Sequence, residues 1–259
     1  MLVAHDTPID SKASTTGKVG SVAELWHYPV SSIGGQKVDR LAVLDNGVPD
    51  DRRFCLFDPA TGRPAAPEKE PRWRAALFLR ARTASGAPGI GFPDGTSIAV
   101  TDPEMVARLS KHFGFSVHVG ATDRLMSGKT GLPFVENRYK PSPVHLLTTA
   151  SLRQLGETGA FGEIDRQRFR PTVLIETAAV SGFQENDWVG RVVRIGEVLL
   201  RATESTKRCG MTLIPQPGIA EDPEILRNIV RHNKRNLGIY CDVAKVGKIN
   251  AGDAVYVVG

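Results

Sequence analysis

The sequence contains few cysteines, no long hydrophobic run and no obvious targeting segment. The chain has three cysteines, Cys55, Cys209 and Cys241. This odd number, without a Cys-x-x-Cys pair, argues against a structural zinc site. Free thiols are typical of a reducing compartment. No apolar stretch approaches the ~20 residues that cross a bilayer, and residues 1–20 lack the apolar core of a secretory signal. These absences predict a cytoplasmic protein without a membrane partner, preceded by a flexible tail at 1–20.

The basic residues are scattered along the chain, although the net charge is +5 and the pI is about 9.2. No run of five or more like charges occurs, and aromatic residues make up only 7% of the chain. Both features argue against a nucleic-acid partner, which needs a basic stripe or stacking aromatics. A basic β-barrel that binds nucleic acid without catalysis remains the competing class, on the evidence of the pI alone.

The chain does contain many short strand-like runs bounded by Gly, Pro, Asp or Asn, a pattern typical of β-rich folds. Predicted strands cover 22–28, 37–44, 53–57, 75–81, 98–101, 172–176, 191–195, 198–203, 237–246 and 254–258. Helices are predicted from Asp102 to Gly114, from Thr148, and over 222–236. We therefore predict a mainly β fold with a few helices (α+β), built on a barrel or sandwich.

Two β-rich halves are predicted on either side of the helix that begins near Asp102. The length of 259 residues allows one large or two small domains. We place an N-terminal β-rich domain at 21–105 and a β-barrel domain at 106–259. Residues 120–143 show little periodicity and are predicted to form a long loop.

Cys209 is the most conspicuous candidate for chemistry, because it follows Lys207 and Arg208 and precedes Gly210. Adjacent cations favour the thiolate, the form that attacks electrophiles and binds soft metals. Gly210 leaves the backbone open to close approach by a ligand. The alternative is a small buried packing residue, which is what we expect Cys55 and Cys241 to be.

Three groups of motifs, taken in order, resemble the MOSC family, the domain found at the C-terminus of molybdenum-cofactor sulfurases, with its β-rich N-terminal companion domain. The motifs are Tyr28-Pro29-Val30-Ser31-Ser32 with Asp51-Arg52-Arg53-Phe54, Arg168-Phe169-Arg170-Pro171-Thr172 with Asp187-Trp188, and Lys207-Arg208-Cys209 with Asn236-Leu237-Gly238. The resemblance covers residues from about 20 to 259. It implies a MOSC β-barrel domain preceded by the companion domain.

The resemblance implies a molybdenum cofactor (molybdopterin), with Cys209 as metal ligand and catalytic residue. It also implies basic and hydroxyl groups around the cofactor phosphate, which we assign to Ser31, Ser32, Arg52, Thr148, Ser151, Arg168, Arg170, Thr172 and Arg208. Arg168 and Arg170 are expected to share one face of an extended segment. The helix beginning at Thr148 is expected to favour a bound anion. Pyridoxal phosphate binding is a further association of the family.

Plainer roles compete with several of these assignments. Arg52 could pair with Asp50 or Asp51, and the arginines at 168 and 170 could pair with Asp165 or Glu163. Thr148 could simply cap a helix. The tryptophan at 188 could belong to the core.

The implied function is reduction of N-hydroxylated small molecules, with Cys209 as metal ligand. No ferredoxin-like cysteine cluster is present, so electrons would come from a separate donor protein. Ser31 replaces a lysine, and Thr172 replaces an asparagine, of the family's usual pattern. These replacements motivate the alternative of a metal-free MOSC protein that uses Cys209 as a persulfide carrier or nucleophile in a biosynthetic sulfur or nitrogen step.

Overall fold

The computed structural model describes residues 17–83, 86–138, 142–178 and 182–258, so most of the predicted tail lies outside the described residues. The strands are β1 Lys18–His27, β2 Gln36–Val38, β3 Arg40–Val43, β4 Phe54–Asp58, β5 Arg63–Pro64, β6 Arg80–Arg82, β7 Gly89–Gly91, β8 Ser97–Ala99, β9 His118–Ala121, β10 Val144–Thr148, β11 Val173–Thr177, β12 Val192–Ile195, β13 Val198–Lys207, β14 Asn236–Lys245, β15 Gly247–Asn250 and β16 Ala254–Val258. The α-helices are α1 Met105–Phe113, α2 Arg124–Thr130, α3 Thr149–Gly159 and α4 Pro223–Asn233. The predicted class, mainly β with a few helices, is confirmed.

Seven strands form a closed barrel in the order β11, β10, β14, β13, β12, β16 and β1, and β1 then pairs with β11 to complete the ring. Neighbours are antiparallel except β10 and β11, which run parallel. β1 also pairs with β2 beyond the point where it leaves β16. Closure satisfies the backbone groups that an open sheet would leave at its edges.

Apolar side chains from alternate positions of the strands fill the barrel interior. Along β13 the buried positions are Val198, Leu200 and Ala202, as the two-residue period of a strand requires. Leu25 and Val22 of β1 belong to the same core, as does Trp188. The prediction that Trp188 is a core residue is confirmed.

A second core lies in the N-terminal part of the chain, between two three-stranded sheets, β5–β4–β9 and β6–β7–β8. Trp73 is its centre and contacts the Phe113 and Phe115 rings edge-on, with centroid distances of 5.3 and 4.9 Å. Leu109 of α1 also packs here. By contrast, β1 belongs to the barrel, and β3 pairs with β15 in a two-stranded sheet whose Leu41, Val43 and Ile249 join the barrel core. The domain boundary at residue 105 stays a prediction, because elements on both sides of it cross between the cores.

Two local predictions were wrong. Residues 75–81 do not form a strand: a 3₁₀ helix spans Pro71–Phe78, and only Arg80–Arg82 is extended. Pro71 suits the first helical turn, and the helix buries Trp73, Ala76 and Leu77 at spacings of a helical turn. The predicted loop at 120–143 contains α2, which begins where Asp123 accepts a hydrogen bond of 2.7 Å from the Met126 amide.

Other local predictions were confirmed. The helix predicted from Asp102 is present as α1 but begins three residues later, at Met105, after the Asp102 side chain accepts a hydrogen bond of 2.8 Å from the Glu104 amide. Gly114 ends that helix in the left-handed conformation, as predicted. Gly196 turns the β12–β13 hairpin with a φ of +56°. No helix among the described residues is long and apolar enough to cross a membrane.

Candidate active site

A cleft of about 350 Å³ opens beside the end of β13. The loop after β1, the segment after the Arg166–Phe169 helix and residues 207–212 all contribute to its walls. Seven of the predicted site residues line it: Ser31, Ser32, Arg52, Arg168, Arg170, Arg208 and Cys209. The fold therefore brings together residues that lie almost 180 positions apart in the sequence.

Cys209 is exposed, whereas Cys55 and Cys241 are buried. Burial raises the pKa of the Cys55 thiol to about 12 and also raises the pKa of Cys241. The packing interpretation is thus confirmed for Cys55 and Cys241 and wrong for Cys209. The Cys209 backbone is extended, and its carbonyl accepts hydrogen bonds from the Thr212 amide and hydroxyl at 3.2 and 3.1 Å. These bonds fix the short 3₁₀ helix Gly210–Leu213 that follows the thiol.

Arg208 points inward and anchors the end of β13. Its Nε donates to the Leu237 carbonyl at 2.8 Å, and its Nη1 donates to the Phe169 carbonyl at 3.1 Å. Its Nη2 lies 2.8 Å from Nε2 of His145. Burial lowers the pKa of Arg208 to about 10. Because these guanidinium bonds go to protein acceptors, Arg208 holds the neighbouring Cys209 in place.

His145 completes this anchor, although no metal-ligand spacing in the sequence singles it out. Its Nδ1 lies 3.2 Å from the Arg170 carbonyl and its Nε2 faces the guanidinium of Arg208, so the ring donates from Nδ1 and accepts at Nε2. Burial, and then the nearby charge of Arg208, hold the pKa of His145 well below 6.5. A neutral imidazole is therefore the form that fits this position.

Gly238 is a second residue that sequence reasoning did not assign a role. Its φ is +81°, and a Cβ at this position would lie 2.5 Å from Nε2 of His145 and 2.7 Å from the Leu146 carbonyl oxygen. Any larger residue would therefore push into the contact between His145 and Arg208. In the sequence, the Asn-Leu-Gly motif at 236–238 is the feature that could have pointed to Gly238.

Arg168 and Arg170 both reach the cleft, but the expected extended segment was wrong. Asp165 accepts a hydrogen bond of 2.7 Å from the Gln167 amide and starts a 3₁₀ helix, Arg166–Phe169. Arg168 donates to the carbonyls of Thr212 at 3.0 Å and Ala220 at 2.7 Å. It therefore fixes the segment that follows Cys209. Burial lowers its pKa.

Arg170 and Arg52 both lie over the ring of Tyr28, with guanidinium carbons 4.4 and 5.0 Å from its centroid. Burial raises the pKa of Tyr28 to about 12, so the phenol stays neutral and the ring offers its π face to the cations. Arg52 also pairs with Asp51, as the plainer interpretation predicted. Arg170 donates to the Ile33 carbonyl. Tyr28 thus sets the position of two cleft cations.

The two serines occupy the same wall of the cleft. Ser31 is nearly buried and its amide donates to the Phe54 carbonyl at 2.8 Å. The Ser32 hydroxyl lies 3.4 Å from the Ala65 carbonyl. Their hydroxyl groups add neutral hydrogen-bonding capacity beside the guanidinium groups.

Three predicted site residues do not line the cleft. Thr148 and Ser151 are completely buried, and each hydroxyl donates to Oε2 of Glu185 at 2.6 Å. The Gly238 amide donates to Oε1 of the same carboxyl at 3.1 Å. We call this group, Thr148, Ser151, Gly238 and Glu185, the Glu185 pocket. Thr148 also caps α3 by accepting from the Ser151 amide at 3.1 Å, so its capping role is confirmed.

Thr172 is also buried and serves the framework of the site. Its hydroxyl oxygen accepts from the His145 amide at 3.2 Å, and its own amide donates to the His145 carbonyl at 2.9 Å. A role for Thr148, Ser151 or Thr172 in cofactor binding stays a prediction.

The chemistry of the cleft combines one exposed thiol with several cations. Thiolate suits a soft metal, and guanidinium groups suit phosphate oxygens. Among the described residues, no group of three or more His, Cys, Asp or Glu side chains converges on a possible metal position. The cleft residues therefore fit an anionic, phosphate-bearing cofactor that presents a metal to a single thiolate.

Comparison with known proteins agrees with this description. A family model described as the MOSC domain matches residues 102–256, and one described as the MOSC N-terminal beta barrel domain matches residues 19–101. Similar relatives include mitochondrial amidoxime reducing component 2 of Rattus norvegicus and of Bos taurus, each 25% identical over 92% of this chain and 83% of the relative. The Homo sapiens protein of the same name is 23% identical over 92% of this chain and 84% of the relative.

A solved structure shares the fold. The YUAD protein from Bacillus subtilis superposes with a TM-score of 0.51, covering 92% of this chain and 95% of that protein at 12% sequence identity. At this identity the likeness concerns the fold alone.

Proposed function

Because this chain belongs to the MOSC family, we propose that it is a molybdenum-cofactor-dependent oxidoreductase that reduces N-hydroxylated small molecules such as amidoximes. The observation that carries the proposal is the exposed Cys209 thiol, which lies in a cleft with the guanidinium groups of Arg52 and Arg170. The relatives named for amidoxime reduction support the same class of reaction. The overall reaction would convert an N–OH compound, two electrons and two protons into the N–H compound and water.

Each part of the cofactor has residues in the cleft that suit it. Cys209 would be the protein ligand to molybdenum, since thiolates favour soft metals. Arg52 and Arg170, with the hydroxyls of Ser31 and Ser32, would bind the phosphate through charge-assisted hydrogen bonds. When bound, the cofactor supplies the two electrons that cleave the N–O bond. The arginines at 168 and 208 have a different role in this proposal, because each donates to carbonyls of two separate segments and so joins those segments.

The protein's own contribution is to hold the thiol rigidly before anything binds. Arg208 anchors the residue before Cys209 to β14, and Arg168 anchors the helix after it through the Thr212 carbonyl. Because the chain is fixed on both sides of Cys209, this residue would lose little conformational freedom on coordinating a metal, which favours metal binding. The chain's three cysteines do not form a cluster suited to iron and sulfur, so we propose that electrons arrive from a separate donor protein.

The test compares two thiols in protein made by a host that synthesises the cofactor. We expect molybdenum in wild type and in Cys55→Ala, and almost none in Cys209→Ala, measured by elemental mass spectrometry. Benzamidoxime reduction, with reduced methyl viologen as a small electron donor, should follow the metal content. Cys55→Ala is the matched control because it removes a thiol that is buried in the N-terminal part. Wild-type protein without molybdenum under these conditions would contradict the proposal.

A second candidate keeps the thiol and omits the metal. The exposure of Cys209 beside Lys207 also suits a persulfide carrier or a nucleophile. A cysteine desulfurase persulfide would then transfer its outer sulfur to the thiolate and leave as a thiolate itself. Intact mass after this treatment should show one added sulfur in wild type and none in Cys209→Ala. An unchanged wild-type mass would exclude the carrier.

A further inference from the structure

The end of β13 presents two chemically different side chains to the same side. Thr206 and Arg208 are buried, whereas Lys207 and Cys209 are exposed. The backbone of Cys209 continues the extended path, with φ −125° and ψ −179°. Alternate residues of an extended chain point the same way and lie roughly 7 Å apart between Cα atoms. Both side chains line the cleft, so an ammonium group lies within one small molecule's length of the thiol.

Within the described part of the chain, no carboxylate pairs with Lys207. None of the ion pairs formed by the described residues involves it. Two other cleft cations are paired, Arg52 with Asp51 and Arg138 with Glu68. A flexible ammonium in the cleft wall remains available to an incoming anion.

The surface near Lys207 and Cys209 is partly apolar. Phe169, Met211 and Tyr240 line the same cleft and offer ring and thioether surface. The Tyr240 ring is held edge-on against His145, with centroids 5.4 Å apart. A ligand with an aromatic or aliphatic body could therefore rest on these side chains while one of its ends reaches Cys209.

From this arrangement we propose that Lys207 forms an anion subsite, and that the preferred substrates are N-hydroxylated compounds that also carry a carboxylate or similar anionic group. The inference rests on the proposed function, because it assigns the N–OH group to Cys209. The carboxylate pairs with the Lys207 ammonium, and the body of the substrate lies over Phe169, Met211 and Tyr240. Lys207 is a specificity-determining residue in this scheme.

The experiment compares two substrates that differ in one group, benzamidoxime and 4-carboxybenzamidoxime, with reduced methyl viologen as electron donor. Lys207→Ala should lower kcat/KM for the carboxylate substrate roughly fivefold, the size expected for a partly exposed ion pair. Lys207→Glu should lower it further. The effect is read as the ratio of the two substrates' kcat/KM values, each measured per bound molybdenum, since benzamidoxime carries no anion to pair with this ammonium. Lys248→Ala, on exposed strand β15, is the matched control and should change neither substrate.

A binding measurement separates this inference from the proposed function. Calorimetric titration of cofactor-free protein with 4-carboxybenzamidoxime should show weaker binding for Lys207→Ala than for wild type. If wild type reduces both substrates and Lys207→Ala changes neither rate nor binding, the subsite is wrong and the proposed function stands. If molybdenum content and both rates fall together in Lys207→Ala, the lysine serves the cofactor, and the subsite is again wrong. If wild type reduces neither substrate but the titration shows the expected loss, the subsite is supported and the proposed function fails.

Discussion

The cleft at Cys209 and the Glu185 pocket both gather groups that stabilise an anion, yet they differ in where the anion comes from. The cleft collects cations around an exposed thiol and is open to a ligand. The Glu185 pocket collects two hydroxyls and a backbone amide, and the protein's own carboxyl fills it. The difference shows that a helix N-terminus with hydroxyl residues marks a place for an acceptor oxygen without showing whether that oxygen belongs to a ligand.

Gly238 joins the two regions. Its amide donates to Glu185, and its Cα packs so closely on His145 that no side chain fits there. Through Gly238, the Glu185 pocket thereby helps to hold His145 and Arg208 in place. Substitutions in the pocket should therefore test stability, whereas substitutions in the cleft should test chemistry.

Removing the carboxyl group from the Glu185 pocket should have the largest effect on the free energy of unfolding. Glu185→Ala leaves the hydroxyls of Thr148 and Ser151 and the amide of Gly238 without an acceptor, and each buried unsatisfied donor costs about 1–3 kcal/mol. We expect a loss of about 3–5 kcal/mol in the free energy of unfolding, measured by urea titration. Added formate should restore part of the loss. A stability within 1 kcal/mol of wild type would show that the pocket does not need its anion.

Glu185→Gln is the matched control because it keeps the shape of the side chain. Burial raises the pKa of Glu185 above 4.5, so the folded state holds the proton more tightly than the unfolded chain. The stability that this proton adds is present below pH 4.5 and is lost as the pH rises through the raised pKa. Wild type should therefore exceed Glu185→Gln in stability most clearly at acid pH, and the gap should narrow as the pH rises. A gap that widens with pH would contradict the raised pKa.

A substitution at the junction should disturb both regions. Gly238→Ala places a Cβ 2.5 Å from His145 Nε2 in a backbone with φ +81°, and we expect it to cost about 2–3 kcal/mol. It should also lower molybdenum content, because the displaced His145 would shift Arg208 and then Cys209. Gly218→Ala is the control, since its φ is +78° but no atom lies within 4 Å of its added Cβ. Equal losses in the two variants would mean that the contact with His145 adds nothing.

The smallest expected effect is a change in pH dependence on the cleft side. The pKa of His145 is lowered by burial, so below pH 6.5 the unfolded chain takes up a proton that the folded chain does not. The free energy of unfolding should fall with decreasing pH, by up to about 1.4 kcal/mol per pH unit from this residue. His145→Gln should flatten the profile between pH 6.5 and the lowered pKa. An unchanged slope in His145→Gln would contradict the lowered pKa.

Sequence patterns predicted the barrel strands well where one face is buried and one is solvated. β13 alternates between buried and more exposed positions from Val198 to Thr203, and residues 198–203 were predicted correctly for that reason. β10, with sequence Val144–Thr148, was overlooked because all five residues are buried and no alternation results. The 3₁₀ helix Pro71–Phe78 was also misread, because its short apolar run fits a strand equally well.

The site was predictable chiefly through the motifs that resemble the MOSC family, because Cys209 is the residue that type and neighbours alone singled out. Cys209 and the arginines at 52, 168 and 170 all line the cleft. Which arginines bind a ligand and which hold the chain together depends on backbone carbonyls that come from distant segments, such as Leu237 for Arg208. Glu185 was overlooked for the same reason, because the residues that hold it lie far from it in the sequence.

The closure of the barrel by β1 has a consequence for how the protein is made. Gly20 and Ser21 of β1 leave the ribosome early, but their partners in β16, Val255 and Ala254, are synthesised more than two hundred residues later. The core around Trp73 can condense meanwhile, because its members lie between Val30 and Val119. Until β11 and β16 emerge, the first half of β1 has no partner strand, and an unpaired strand edge is the kind of segment that chaperones hold and that aggregates pair with. The step that completes the barrel is thus also the step that ends this exposure.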